Sequence, residues 1–546
     1  MTRNSRLSMA GSFKKRFPFF YNKLLKLRFK TIQYSITHFS AIWYLLLNTP
    51  IIKKYGIGFF YNFLSSGIEF PFPYRTKNPF MSVGDLQDYS YYSRILPEKL
   101  RSANYEYPSA EEIAEDLLLR KNKCEKKTDR NSSLLFGSFA QWFAAGFLMV
   151  EQADCGRSAL YPTSAANLNA VYGNDEKSQL LLRSLSGGKL KSQFIKGEEY
   201  PLYLKEIPEL IDTPLFKGFL QRPGTKFILN LSNHTQYDIN TLFAFGQIQI
   251  NATPGTIAWG VIFLREHNQV CEELHKLNPE WDDERLYQTA RNICVMILNR
   301  ILVIDYIGTH NSCHLAMKIP FEPAYLRGRK WSFGLANSLP IEWNHLYRFH
   351  SFIPDTLLFK GKEIPLTSAF YDPNFVTQHG LETVIDQLSR SPICCFGPQN
   401  IPYFLIHVEK HTIEEGRLLN LATYNDYRER MGMPRAFHFE DINSNQSVIH
   451  ALRKHYKSVD EIEFYVGMMA EEVPADRLFP PLLNRILSAV AFNVIMLQLW
   501  LAPTIWSRRD ELLTSFGRKR VDDSTIQTLI YRHISKEAYV SFFMPQ

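Results

Sequence analysis

The most informative segment of the chain is Glu342-Trp343-Asn344-His345-Leu346-Tyr347-Arg348-Phe349-His350. Tyr347 and His350 are three positions apart, and residues at this spacing on a helix lie on one face with Cβ atoms about 5–6 Å apart. A neutral imidazole beside a phenol suits a haem site, in which the histidine binds the iron and the tyrosine gives up an electron. A Tyr-x-x-His pair is more commonly a packed ring beside a hydrogen-bonded histidine, so this hypothesis depends on the rest of the chain.

The 546-residue chain has an ordinary globular composition, but its charge is unevenly distributed. Hydrophobic residues make up 45%, charged residues 21% and aromatic residues 14%, with a net charge of +8. No acidic residue precedes Glu69, and residues 1–68 contain eleven lysines and arginines, so this segment carries +11 and the other 478 residues carry −3. A chain this long can bury a large core. A basic end can serve nucleic acid, an anionic membrane surface or a targeting receptor, and the aromatic residues described next favour the membrane surface, so we expect no nucleic-acid partner.

Within the N-terminal segment, basic residues alternate with aromatic residues between Phe13 and Tyr74. This composition is typical of helices that lie in a membrane interface with cations at the lipid headgroups. Its longest uncharged apolar run, residues 39–47, is far shorter than the roughly 20 residues that span a bilayer. We therefore predict a basic tail at 1–16, monotopic membrane-binding helices at 17–74 and a catalytic domain at 75–546. A solvated basic tail, or a transit peptide over residues 1–30, remains open.

Neither a secretory signal nor a disulfide framework is indicated. Met1 is followed by polar and basic residues rather than an apolar stretch, and the seven cysteines are scattered without zinc spacing. We expect an intracellular protein that is peripherally associated with a membrane and not secreted.

The pattern along the chain is mainly helical. The predicted helices cover residues 108–120, 256–277 and 283–306, with others around 380–390, 402–421 and 446–456, and a hairpin is predicted near 189–200. Two uncharged apolar runs, 134–150 and 486–502, are interpreted as buried helices rather than membrane spans because polar and glycine residues interrupt them.

Several further segments match one known family together with residues 342–350. They are Thr37-His38, 90–97, Val171-Tyr172-Gly173, 188–191, Phe263-Leu264-Arg265-Glu266-His267-Asn268-Gln269-Val270-Cys271, 278–281, 288–291, 427–433, Glu463-Phe464-Tyr465, 514–517 and 539–542. In this order they resemble the prostaglandin G/H synthases (cyclooxygenases) of the animal haem peroxidase superfamily, over about residues 30–545.

The resemblance implies a mainly α, peroxidase-like fold preceded by membrane-binding helices, haem b as cofactor, and a homodimer. It implies that a tyrosyl radical takes a hydrogen atom from a polyunsaturated fatty acid, to which O₂ then adds. His350 matches the proximal iron ligand, Tyr347 the radical tyrosine, Tyr306 its hydrogen-bonding partner, Asn344 a polar residue on the haem face and Gln141 the distal glutamine. Residues matching the substrate channel are Leu64, Ile307, Cys313 and Asn493.

Three departures from the family pattern bear on function. The family has a distal histidine four residues after its glutamine, whereas this chain has Ala145, which cannot transfer a proton. The arginine and tyrosine that hold the fatty-acid carboxylate fall on Leu64 and Cys313, which cannot form that charge-assisted anchor. Asn493 stands where the family has serine beside the channel.

Two functional hypotheses follow. In the first, the protein is a membrane-associated, haem-dependent fatty-acid oxygenase with impaired peroxidase activity, because the tyrosines and the iron ligand are retained. In the second, it is a haem enzyme that transforms lipid hydroperoxides, or a non-catalytic haem- or lipid-binding relative, because the distal histidine and the carboxylate anchor are missing.

Overall fold

The computed structural model describes residues 93–121, 132–145, 168–213, 238–306, 340–496 and 509–545 apart from residues 103, 174–175 and 476, together with the short pieces Thr49, 74–75, 150–152, 158–160, 216 and 220. Helices dominate these residues. No helix within them combines the length and the apolar character that crossing a bilayer requires. The predicted tail and nearly all of the predicted membrane-binding helices lie outside the described residues.

Sixteen α-helices occur in the described part of the chain. They are α1 (Ala110–Ile113), α2 (Leu134–Ala145), α3 (Asn169–Tyr172), α4 (Glu176–Leu182), α5 (Pro254–Leu277), α6 (Asp283–Ile301), α7 (Trp343–Leu346), α8 (Pro373–His379), α9 (Leu381–Arg390), α10 (Ile406–Leu418), α11 (Tyr424–Arg430), α12 (Gln446–His455), α13 (Phe464–Ala470), α14 (Pro481–Met496), α15 (Arg509–Asp522) and α16 (Ile526–Ile530). One π-helical turn, Ala114–Leu118, extends α1, and another, Leu302–Tyr306, extends α6.

The described strands form four small antiparallel pairs. They are β1 (Tyr74–Arg75) with β2 (Ser93–Arg94), β3 (Val150–Gln152) with β4 (Ser158–Leu160), β5 (Ser192–Ile195) with β6 (Glu198–Pro201), and β7 (Thr356–Phe359) with β8 (Lys362–Pro365). Short 3-10 turns join several elements, including Ile248–Ala252 before α5 and His350–Phe352 after α7.

Helix α5 is the centre of the fold and packs against α2, α3, α6, α8 and α9. Thr253 caps its first turn through a reciprocal capping box with Thr256, and Pro254 occupies the first position, where its missing N–H costs nothing. The helix is buried along most of its length. A helix buried on nearly all sides belongs in the core of a large domain.

Helix α2 lies against the start of α5 at very short range. A Cβ atom on Gly255 would lie 2.4 Å from Cβ of Ser138, so only glycine permits this approach. Further along, the rings of Trp142 and Phe263 stack at 5.0 Å. This packing fixes the orientation of α2, and with it the wall of the cavity described below.

The predicted helical pattern is confirmed for the described residues. Helices α2 and α14 fall on the two apolar runs, and α5 and α6 with its π turn match 256–277 and 283–306. The β5–β6 hairpin overlaps 189–200 and ends one residue later, at Pro201. The first apolar helix is shorter than its run, because α2 ends at Ala145 and Val150 already belongs to a strand. Cys271, Cys294, Cys394 and Cys395 are free thiols.

Candidate active site

A cavity of about 1170 Å³, including its mouth, lies between α2, the start of α5 and the segment that follows α7. Its walls are largely apolar, with a few polar groups that converge on the interior, as in cofactor and ligand pockets. The polar residues that line it are Ser138, Gln141, Gln249, Thr253, Tyr347, Arg348 and His350. The sequence-predicted pair Tyr347 and His350 therefore shares one cavity with Gln141 and Ala145.

His350 begins the 3-10 turn His350–Phe352 and is held by a carboxylate from another helix. Its Nδ1 donates a hydrogen bond to Oε1 of Glu409, which lies on α10 and is fully buried. The hydroxyl of Tyr465, on α13, donates to the other oxygen of the same carboxylate. Because a carboxylate only accepts, this contact assigns the ring hydrogen to Nδ1 and leaves Nε2 as the nitrogen available to a ligand.

Tyr347 and His350 do not lie on one continuous helix, contrary to the expectation from their spacing. Helix α7 ends at Leu346, Tyr347 follows with φ −88° and ψ 30°, and Phe349 has a similar bend before the 3-10 turn. A four-residue helix has few hydrogen bonds of its own, so tertiary packing decides where it ends. The Tyr347 ring is packed 4.8 Å from the rings of both Trp343 and Phe349.

Buried Glu342 anchors α7 to two distant parts of the chain. Its carboxylate accepts hydrogen bonds from the backbone N–H of Ile95 at 3.0 Å and from the hydroxyl of Tyr427 at 2.8 Å. Burial raises the pKa of Glu342, although these hydrogen bonds oppose the shift. The clamp places the end of α7, and therefore Tyr347, at the cavity wall.

Tyr306, the last residue of the π turn after α6, lies behind Tyr347. Burial raises the pKa of Tyr347, and a hydrogen bond from Tyr306 acts in the opposite direction. The ring of Tyr306 is packed 5.0 Å from that of Phe139 and 5.4 Å from that of Phe136, both on α2. Tyr306 is thus adjacent to Tyr347 as the sequence predicts, but it does not line the cavity.

Outside the Tyr347–His350 segment, the described residues that line the cavity include polar groups but no acid or base. Gln141 projects from α2, and its Oε1 lies 3.4 Å from the hydroxyl of Thr253. Ala145 lines the cavity one turn later, and the amide Nε2 of Gln249 donates to its carbonyl oxygen over 3.3 Å. Among the described lining residues, the only titratable side chains are Tyr347, Arg348 and His350.

The other sequence-predicted site residues are not brought to this cavity by the described structure. Asn344 is buried on α7, away from the lining. Asn493 belongs to α14, and its side chain is outside the description. Leu64, Ile307 and Cys313 lie outside the described residues, so the channel assignments remain predictions.

Two residues that the sequence reasoning missed stand out here, Glu409 and Gln249. Glu409 is 59 residues from His350 in the chain, and Gln249 is 104 residues from Ala145. A local signal existed for Glu409 but not for Gln249. Glu409 is buried on the same face of α10 as Ile413, four residues later, and an acidic residue on an apolar helix face needs a buried partner.

The residues present fit a haem group. His350 offers one ring nitrogen to iron while Glu409 fixes the other, an arrangement common among metal-binding histidines. The apolar walls suit a porphyrin. Arg348 has an Nε atom that is buried and has no hydrogen-bond partner among the described residues, so a haem carboxylate would supply one.

Comparison with known proteins gives the family. The family model "Animal haem peroxidase" matches residues 161–538, which is more than half of the chain. The chain belongs to the animal haem peroxidase family. Haem is the cofactor of this family, and the protein is a haem-dependent oxidoreductase.

Relatives within the family cover nearly the whole chain. Prostaglandin G/H synthase 2 from Mus musculus is 26% identical over 529 residues, which cover 95% of this chain and 83% of the relative. Prostaglandin G/H synthase 1 from Canis lupus familiaris is 26% identical over 527 residues, covering 94% and 82%. The resemblance identified from the motifs is therefore confirmed.

Solved structures share the fold at low sequence identity. A variant of Oryza sativa fatty acid alpha-dioxygenase, with palmitic acid, superposes with a TM-score of 0.68 at 16% identity and covers 97% of this chain and 98% of that chain. Peroxidase A from Dictyostelium discoideum superposes with a TM-score of 0.66 at 17% identity, covering 86% and 97%. These likenesses confirm the mainly helical, peroxidase-like architecture.

Proposed function

We propose that this protein is a haem-dependent fatty-acid oxygenase that uses a radical on Tyr347. The observation that carries the proposal is the position of Tyr347, which lines the same cavity as His350 and is buried against Tyr306. Relatives named prostaglandin G/H synthases and a fold neighbour named fatty acid alpha-dioxygenase, with palmitic acid, support a fatty acid as substrate.

His350 and Tyr347 have different roles in the proposed reaction. Haem held by His350 would supply the oxidising capacity for the reaction. Tyr347 would give up one electron to the haem and its hydroxyl proton to solvent at the open cavity, which leaves a neutral radical. It then takes a hydrogen atom from a doubly allylic carbon of the lipid. O₂ adds to the carbon radical, and the resulting peroxyl radical takes the hydrogen atom back, so lipid and O₂ become a lipid hydroperoxide.

The surroundings of Tyr347 suit a radical that must be reused. Its ring is enclosed by Trp343 and Phe349, and Phe143 of α2 lies 6.4 Å away. Only 8% of Tyr347 is exposed, so the ring has little contact with solvent. Tyr306 lies close enough to oppose the rise in the pKa of Tyr347, and a hydrogen bond from its hydroxyl would orient the Tyr347 hydroxyl for repeated transfer of the same hydrogen atom.

Weak peroxidase activity is part of the proposal. A distal base that takes the peroxide proton typically contributes about 10²–10⁴-fold to the rate. Ala145 provides no such group, and the amides of Gln141 and Gln249 can only orient a bound hydroperoxide. The same observation favours a second candidate, a haem enzyme that rearranges lipid hydroperoxides without consuming O₂.

Association with a lipid surface through residues 17–74, and a homodimer, belong to the proposal as well. The basic and aromatic composition of the N-terminal segment supports the first. The second rests on the family resemblance.

The deciding experiment is oxygen uptake by the haem-loaded protein with a panel of polyunsaturated fatty acids. Tyr347→Phe should abolish uptake while the haem spectrum is unchanged, and Tyr371→Phe, a buried tyrosine away from the cavity, should have little effect. Uptake that survives Tyr347→Phe would refute the radical role. Consumption of a lipid hydroperoxide without oxygen uptake would favour the second candidate.

A further inference from the structure

A buried carboxylate lies behind the iron-binding histidine of the proposed haem site. Glu409 of α10 has both oxygens engaged, one by Nδ1–H of His350 and the other by the hydroxyl of Tyr465. The three residues come from three separate elements, and the Glu409 and Tyr465 side chains are inaccessible to solvent or nearly so. Such a contact cannot be an incidental surface ion pair.

The charge of Glu409 has no basic partner besides His350. Among the residues that the structure describes, no lysine or arginine forms an ion pair with it. An isolated buried carboxylate is costly unless it is hydrogen-bonded and its charge is offset nearby. A metal cation on the far nitrogen of His350 would offset that charge through the ring, since it makes the Nδ1–H group a stronger donor.

We propose that Glu409 is a positioning residue that makes His350 an electron-rich ligand for the haem iron. The inference rests on the proposed haem site but adds an assignment within it. The carboxylate accepts the Nδ1 hydrogen, fixes the ring orientation and raises the basicity of the ligating nitrogen. Electron donation from the proximal ligand stabilises ferric haem and favours O–O cleavage in haem enzymes.

This role of Glu409 matters more because Ala145 stands where the family has a distal histidine. Apart from Tyr347, Arg348 and His350, the described residues that line the cavity include no acid or base, so reactivity towards a hydroperoxide would depend more heavily on the ligand side of the iron. Glu409 therefore restores part of the reactivity towards a hydroperoxide that is lost with the distal histidine.

Tyr465 tunes the same interaction in the opposite direction. Its hydroxyl donates to the carboxylate and withdraws electron density from it, so the carboxylate accepts less strongly from His350. Removing that hydroxyl should strengthen the pull of Glu409 on the Nδ1 hydrogen. Removing the charge of Glu409 and removing the hydroxyl of Tyr465 should thus change the electron donation from His350 in opposite directions. A loss of packing alone would not produce opposite changes.

The test is the reduction potential of the haem iron and the iron–histidine stretching frequency of the ferrous protein, measured by resonance Raman spectroscopy. Glu409→Gln, which keeps the size and an acceptor oxygen but removes the charge, should raise the potential and lower the frequency. Haem affinity should fall about 10–100-fold. Tyr465→Phe should lower the potential and raise the frequency. Glu414→Gln, an exposed glutamate on the same helix, should change neither.

The outcomes separate this inference from the proposed function. If the wild-type protein binds no haem, both are overturned. If haem binds but Glu409→Gln and Tyr465→Phe leave the potential and the frequency unchanged, or shift them in the same direction, the inference is overturned while the haem site stands. If Glu409→Gln does not fold, Tyr465→Phe, which retains the carboxylate, still decides the question.

Discussion

The side-chain amide of Gln249 donates a hydrogen bond to the carbonyl oxygen of Ala145 over 3.3 Å. A carboxamide therefore lies against the backbone of the residue at which the family resemblance implies a distal histidine, and both residues line the cavity. The amide Oε1 of Gln249 is buried and has no partner among the described residues. The wall can receive a hydrogen-bonding group but cannot exchange a proton with it.

Restoring an imidazole at this wall should restore peroxidase activity. Ala145→His is expected to increase peroxidase turnover at least roughly tenfold, because it supplies a base for the peroxide proton. The measurement is oxidation of a reducing co-substrate with a lipid hydroperoxide as oxidant. Ala145→Gln, which adds a side chain of similar length at the same position but no base, is the control and should give no such gain.

The neighbouring amide determines how to interpret a negative result. If Ala145→His gives no gain but Ala145→His with Gln249→Ala does, the Gln249 side chain occupies the space that the imidazole needs. If neither variant gains activity, the account of the distal wall is wrong.

Removing the hydroxyl behind Tyr347 should alter the radical without eliminating it. Tyr306→Phe deletes the hydrogen bond that lowers the pKa of Tyr347, so that pKa should rise further. After addition of a hydroperoxide, the electron paramagnetic resonance spectrum should still show a tyrosyl radical, with a changed line shape. A complete loss of signal would place the radical on Tyr306 instead.

Deleting residues 1–68 should release the protein from lipid surfaces. This segment carries eleven basic and no acidic residues, and its aromatic side chains suit the headgroup region. Co-sedimentation with anionic liposomes should fall to the level seen with neutral liposomes. Full binding by the truncated protein would show that membrane association lies elsewhere in the chain.

A stability prediction comes from Asp305, next to Tyr306 on the π turn. Burial raises its pKa to about 6, while a hydrogen bond from the backbone N–H of Ile526 opposes the shift. Because the folded pKa lies above the unfolded one, the folded state loses stability as pH rises from about 4 to about 6. The loss is at most about 3 kcal/mol, reduced by solvent screening at this partly buried site.

Asp305→Asn should remove this pH dependence. The variant should match the wild type in thermal unfolding near pH 4 and should be more stable above pH 6, since the amide oxygen can still accept from Ile526. A difference between the two proteins that stays constant with pH would contradict the assignment.

The sequence predicted the helices and part of the site because those features have local signals. The capped, periodic segments 256–277 and 283–306 form α5 and α6, and the family motifs placed Gln141, Tyr347 and His350 at one cavity. The bend after α7 was not predictable from the spacing of Tyr347 and His350, because tertiary ring packing ends that helix.

The partners Glu409 and Gln249 were not predictable for a different reason. Their contacts join residues that are 59 and 104 positions apart, and no local pattern encodes such a pairing. They depend on how α10 and the turn before α5 pack against the cavity, which only the folded chain defines.

The most direct test of the account is the visible absorption spectrum of the purified protein reconstituted with haemin. We predict a stoichiometric Soret band that is lost in His350→Ala and retained in His411→Ala, whose exposed side chain lies on α10 away from the cavity. Adding a fatty-acid hydroperoxide to the wild-type protein should then produce a tyrosyl radical. A protein that binds no haem, or whose Soret band survives His350→Ala unchanged, would contradict the assignment of His350 and the proposed function built on it.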